Sequence, residues 1–163
     1  MNLRIIGCGN LDRGDDAAGL HVARRLRALG VETVEQSGES ASLMDCWTGF
    51  KHVILVDATA PHGRTGRISV WNAHVGKLPA DVLACSTHAF GVRAAVELAR
   101  AMSRLPESLF IYGIEGKQFA LGSPLSLEVT RAVASVVQQL LERTQLYQSG
   151  ASETGWLPTG LPR

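Results

Sequence analysis

The chain has 163 residues, enough for one domain that buries its own core without disulfide or metal staples. Apolar residues make up 45%, charged residues 19%, and the net charge is +1. Those values exclude a disordered chain and give no footprint for nucleic acid or a membrane surface. No apolar stretch approaches the roughly 18 residues of a membrane helix, and no basic region followed by a long apolar run opens the chain. Three cysteines, Cys8, Cys46 and Cys85, cannot all pair within the chain and none lies in a CxxC. Reduced thiols in a cytoplasmic protein are the expectation.

Leu3–Gly7 reads as a buried strand, short, apolar and stopped by glycine. Asp15 and Asp16 follow the glycine-rich turn and open an amphipathic helix to about Leu29. Its apolar positions Ala18, Val22, Leu26 and Leu29 recur at helical spacing, and Gly30 ends it. Val31–Glu35 is a second strand and Ser40–Trp47 a short helix. His52–Asp57, HVILVD, is the clearest strand, with a continuous apolar centre that suits burial on both faces. A loop with Pro61 and Gly63 leads to Gly66–Asn72, whose alternation marks a more exposed strand. Residues 73–88 form a long connection, uncommon in a compact domain unless it has a task. Ala89–Ser103 is helical and Ser108–Gly113 a strand, with a loop over Ile114–Gly122. Ser123 then caps the last helix, with Pro124 at its first position and its end near Arg143. Residues 1–144 make the domain; 145–163, rich in Gly, Ser, Pro and Thr, read as a flexible tail.

Strands alternating with helices imply a three-layer α/β/α sandwich around a mostly parallel sheet. Ligands of such sheets bind beyond the carboxyl ends of the strands, so the residues there matter most. Asp16 follows the first strand by way of the turn, Asp57 ends HVILVD, and His88 lies in CSTHAFG before a helix. Two carboxylates and an imidazole from separate segments are the ingredients of a divalent transition-metal site with open positions. Taken singly, Asp15 or Asp16 suits a helix cap and His88 a capping or core histidine. Asp57 differs, because a carboxylate ending a buried strand needs a partner, a cation or water.

Two rival chemistries share these segments. Gly7-Cys8-Gly9 resembles the start of a dinucleotide fingerprint, with Glu35 near the place of a ribose-binding acid. Position 12, where the third glycine belongs, is Asp12, and Asp12, Asp15 and Asp16 crowd the turn with negative charge. Cys85, three residues before His88, suggests a thiolate–imidazole nucleophile against the simpler reading of an inert thiol. Cys8, flanked by glycines at the strand end, either faces the same site or simply fills a tight turn. No GxSxG elbow occurs, and His21, His52, His62 and His74 suit solvated or packing roles.

At GCGNLDRGDDAAG, VDA and STHAFG the chain closely resembles the hydrogenase maturation protease family, over roughly residues 3–143. The resemblance implies a five-stranded sheet with one antiparallel strand, for which GRISVWN is the candidate. It implies an endopeptidase that removes the C-terminal extension of a [NiFe]-hydrogenase large-subunit precursor once nickel has been inserted. Motif matching carries the family's acidic ligand, strand-end aspartate and histidine onto Asp16, Asp57 and His88, which would be both the metal ligands and the catalytic set. They would complete the coordination of a nickel ion brought by the substrate. Bond cleavage would follow either a metal-polarised carbonyl or carboxylate-assisted attack by water, with Asp16 or Asp57 as base. Family members often carry glutamate at the first position, one methylene longer than Asp16. After the second strand the family is rich in glycine and threonine, whereas this chain reads QSGESAS and keeps only Gly38. That segment and the 73–88 connection would set which hydrogenase is processed. The expected particle is a cytoplasmic monomer; the alternative is a non-catalytic module that inspects the precursor.

Overall fold

In the computed structural model, which describes residues 2–79 and 91–150, the N-terminal apolar run is strand β1 (Leu3–Cys8). A 3-10 turn (Gly14–Ala17) carries the chain into α1 (Ala18–Ala28), followed by β2 (Thr33–Gln36) and α2 (Ser40–Trp47). Next come β3 (His52–Thr59), β4 (Ile68–Asn72), α3 (Val92–Ala101), β5 (Ser108–Glu115) and α4 (Leu127–Gln148). The sheet order is β2-β1-β3-β5-β4. All neighbours are parallel except β4, which runs antiparallel to β5, as the resemblance implies for GRISVWN.

Period-2 alternation sends successive side chains into two separate cores. Ile5, Ile54, Val56, Tyr112 and Ile114 pack under α1 and α4, against Val22, Leu26, Val133 and Val136. Ile6, Val53, Leu55, Leu109 and Ile111 pack under α2 and α3, against Leu43, Trp47, Val92 and Val96. Each fully buried Leu, Ile or Val contributes about 1.5–3 kcal/mol, so the central strands anchor both layers. Among the described residues no helix is long and apolar enough to cross a membrane.

The strand order also locates the site. From β1 the chain goes out through α1 to β2, then returns through α2 on the opposite face to β3, on the other side of β1. The two connections diverge to opposite faces and leave a crevice between the carboxyl ends of β1 and β3. β1 pairs with β3 only as far as Gly7 with Val56, whereas β3 stays paired with β5 through Thr59 and Glu115. Asp57 is therefore the first residue of β3 beyond the stretch paired with β1, level with Cys8 at the end of that strand.

Two boundaries of the last helix differ from expectation. Ser123 does not cap it: its hydroxyl donates to the Ala120 carbonyl at 2.6 Å, and the Gly122 amide bonds the Asp12 carbonyl at 2.7 Å. That turn delays α4 to Leu127, with Ser126 at the N-cap position. The helix also runs past Arg143 to Gln148, so residues 145–148 are its last turn instead of the start of the tail. There Tyr147 meets His52 edge-on, ring centroids 5.7 Å apart.

Candidate active site

Glycine brings the helical turn onto the end of β1. A Cβ on Gly7 would run into the Gly19 carbonyl and Ala23, and one on Gly19 into the Val56 carbonyl and Cys8. Strand and helix thus touch backbone to backbone. Gly9, at φ +144°, lies directly against the Asp16 carbonyl, and the Asn10 amide bonds that carbonyl at 3.4 Å. The GCG sequence is what lets Asp16 fold back over the strand end.

The adjacent aspartates of this turn have separate tasks. Asp15 is fully buried and accepts the amides of Lys117 (2.9 Å), Gln118 (3.1 Å) and Ser126 (2.7 Å), together with the Ser126 hydroxyl (3.0 Å). It is a structural clamp on the loop between β5 and α4. Asp16, one residue on, lies close enough to Asp57 for its charge to oppose ionisation there. Both are only 5% exposed.

Asp57 continues the row Val53–Leu55 on the face covered by α2 and α3. Burial, then the negative charge of Asp16, push its carboxyl up from the usual range to about 8, against a weaker opposing pull from the Ala58 amide, which donates to Oδ1 at 2.8 Å. Cys8, buried on the same face as Ile6, belongs to the same neighbourhood. Burial first, then Asp57, Cys46 and Asp16, hold its thiol well above the ordinary range. A buried neutral thiol thus lies beside two carboxylates that repel each other. Burial and the charge of Asp16 together favour the protonated form of Asp57.

Of the residues expected at the site, Asp16 and Asp57 come together. His88 and Cys85 lie outside the described residues. Among the described residues no three or more His, Cys, Asp or Glu side chains are disposed to hold a metal ion, so a cation shared by Asp16 and Asp57 needs further donors from outside that set.

The dinucleotide reading loses its acid: Glu35 is held by Arg24 at 3.0 Å and Arg27 at 2.9 Å. His74 bonds the Pro106 carbonyl and His52 the Ser108 hydroxyl, both packing roles. Gln36 and Gly38, in the segment that departs from the family pattern, follow β2 at the same sheet edge, with the Gln36 amide donating to Cys46 Sγ at 2.9 Å. Two participants escaped the sequence reading. The division of labour between Asp15 and Asp16 has no local signature. Glu115 falls in the stretch that the sequence reads as a loop, although a carboxylate closing an apolar strand, as in HVILVD, is a usable signal.

The fold is a five-stranded α/β/α sandwich with Asp16 and Asp57 at its switch point. A profile of the hydrogenase maturation protease family matches residues 21–143. Protein FrxA of Pyrococcus furiosus is 30% identical over 132 residues, 78% of this chain and 94% of that protein. The [NiFe] hydrogenase maturation protease HybD from Thermococcus kodakarensis superposes with a TM-score of 0.71 at 27% identity, covering 87% of this chain and 98% of the other. An endopeptidase from Escherichia coli shares the fold, with a TM-score of 0.72 at 18% identity over 92% of this chain and 94% of its own. The chain belongs to the hydrogenase maturation protease family, and its class is that of a processing endopeptidase for hydrogenase.

Proposed function

We propose that this protein removes the C-terminal extension of a nickel-loaded [NiFe]-hydrogenase large-subunit precursor, reading the substrate's nickel before it cuts. The observation that carries this is the buried pair Asp16–Asp57, with Asp57 raised to about 8 at the crevice between β1 and β3. Two desolvated, mutually repelling carboxylates are poorly stable by themselves and are relieved by a dication. Precursor cysteines hold the nickel, and Asp16, Asp57 and His88 complete its coordination, so that the scissile peptide is presented only by a loaded substrate. Water then adds to the scissile carbonyl carbon, its proton passes to a carboxylate of the pair, and the C–N bond breaks with protonation of the departing amine. Among the described residues Cys8 and Cys46 are free thiols, which suits action in the cytoplasm.

The test is incubation of the purified protein with nickel-loaded and nickel-free precursor, followed by intact mass spectrometry. Loss of the C-terminal peptide from the loaded form alone supports the proposal. Equal cleavage of both forms removes nickel from recognition. Nickel-dependent complex formation with no cleavage makes the protein an inspection module.

A further inference from the structure

The loop before β4 is built around a buried acid that the chemistry above does not use. Glu115, 2% exposed, accepts the His62 and Arg64 amides on Oε1 at 2.6 and 2.7 Å, and Arg67 Nε lies 3.3 Å from Oε2. Burial alone would push this carboxyl up; the two amides and the nearby cations outweigh it and hold the group below the usual range. Gly66, at φ +83°, presses on the first turn of α4, where an added Cβ would sit 2.8 Å from the Glu128 carbonyl. The loop backbone is fixed at both ends, and Arg67 is held against Glu115.

Between this loop and α4 lies a cleft of about 520 Å³, lined by Arg64, Arg67, Ile68, Glu128, Arg131 and Ser135 among others. Its acids are already occupied. Lys117 Nζ takes Glu128 at 2.8 and 3.0 Å, and Arg67 pairs with Glu115. Arg64 and Arg131 make no salt bridge among the described residues; the charge of Arg131 acts on neighbouring Glu128 without a direct bond, and the cleft presents both exposed guanidinium groups beside an apolar wall of Ile68 and Ala132. Such forks match carboxylates in shape and charge. With a net charge of +1 the molecule has no overall excess of basic residues of the kind a nucleic acid requires.

The sheet register places the cleft near the candidate active site. Asp57 pairs with Gly113 and Gly113 with Ser69, so the backbones of Asp57 and Ile68 are about two strand spacings, about 10 Å, apart, with Asp57 on the α2/α3 face of the sheet and the cleft on the α4 face. A peptide passing round this sheet edge covers that distance in roughly four to six residues. We propose that the cleft docks an acidic segment of the polypeptide substrate, its carboxylates received by Arg64 and Arg131. This rests on the endopeptidase reading above and adds a specificity element to it.

Two measurements separate the fates of the two readings. In the first, a fluorescein-labelled hexaglutamate peptide and its hexaglutamine counterpart are titrated with the full chain by fluorescence anisotropy at low salt. The glutamate peptide should bind, the glutamine peptide should not, and Arg64→Ala/Arg131→Ala should weaken binding about tenfold or more. Both side chains are exposed and make no salt bridge, so the variant keeps the fold. Equal binding by the variant, no binding by the unaltered protein, or tighter binding of a thymidine oligonucleotide of equal charge overturns the proposal. In the second, cleavage of nickel-loaded precursor by the variant should show a raised KM and an unchanged kcat. Unchanged KM discards the cleft and leaves the endopeptidase intact. Absence of cleavage by the unaltered protein, with peptide binding lost in the variant, discards the endopeptidase and leaves the cleft.

Discussion

Asp15 and Ser126, 111 residues apart, are joined twice: the Ser126 amide donates to Oδ1 at 2.7 Å and its hydroxyl to Oδ2 at 3.0 Å. With the Lys117 and Gln118 amides also on Oδ2, a single buried carboxylate fastens the β5–α4 loop to the turn that bears Asp16. Asp15→Ala strands those donors and leaves a void. Stability to urea should fall by about 3–5 kcal/mol. A loss below about 1 kcal/mol would show that the loop is held by other contacts.

Asp57 makes folding depend on pH in an unusual direction. Its folded pKa is about 8 and its reference value 3.8, so the folded state binds the extra proton between those values. The contribution is fully present below about pH 4 and is lost as pH rises toward 8. Asp57→Asn should therefore stabilise the fold by about 1–3 kcal/mol at pH 8.5 and by little at pH 4, read from urea midpoints. Carboxyl NMR titration should give an apparent value near 8 for the pair, falling in Asp16→Asn. An ordinary carboxylate titration would dissolve the coupling.

The strands and the acids at their ends were legible because each depends on local pattern: apolar runs closed by glycine or by Asp57. What sequence concealed was set at long range. Asp15 and Asp16 are chemically identical neighbours, and only Ser126, at the far end of the chain, makes one a clamp. The start of α4 moved for a similar reason, since the Asp12 carbonyl recruits the Gly122 amide into a turn that a capping rule applied to Ser123-Pro124 does not anticipate. β3 outran its expected end because β5 continues to pair with it, a fact of register that HVILVD alone does not contain.

Gly9 should be intolerant for two separable reasons, its φ of +144° and the Asp16 carbonyl in the path of any Cβ. Gly9→Ala should cost about 2–4 kcal/mol and displace Asp16, abolishing activity. Gly30→Ala is the control: at φ +85° with open space around it, it should cost about 1 kcal/mol and leave activity alone. Comparable losses for the two would mean that conformation, and not the contact with Asp16, matters at position 9.

The thiol of Cys8 should be inert. It is fully buried, and burial with the charges of Asp57, Cys46 and Asp16 keeps it protonated. In a Cys85→Ser background, maleimide at pH 7.5 should label half-buried Cys46 first and Cys8 only after unfolding, as peptide mapping will show. Rapid labelling of Cys8 in the folded protein would reopen the question of a thiolate at the site.

The most direct test is the intact mass of nickel-loaded precursor after incubation with the unaltered protein, Asp16→Asn and Asp57→Asn, each first shown to be folded. The unaltered protein should release the C-terminal peptide, and either substitution should lower the rate by at least about a hundredfold. Processing at the original rate by either variant would contradict this.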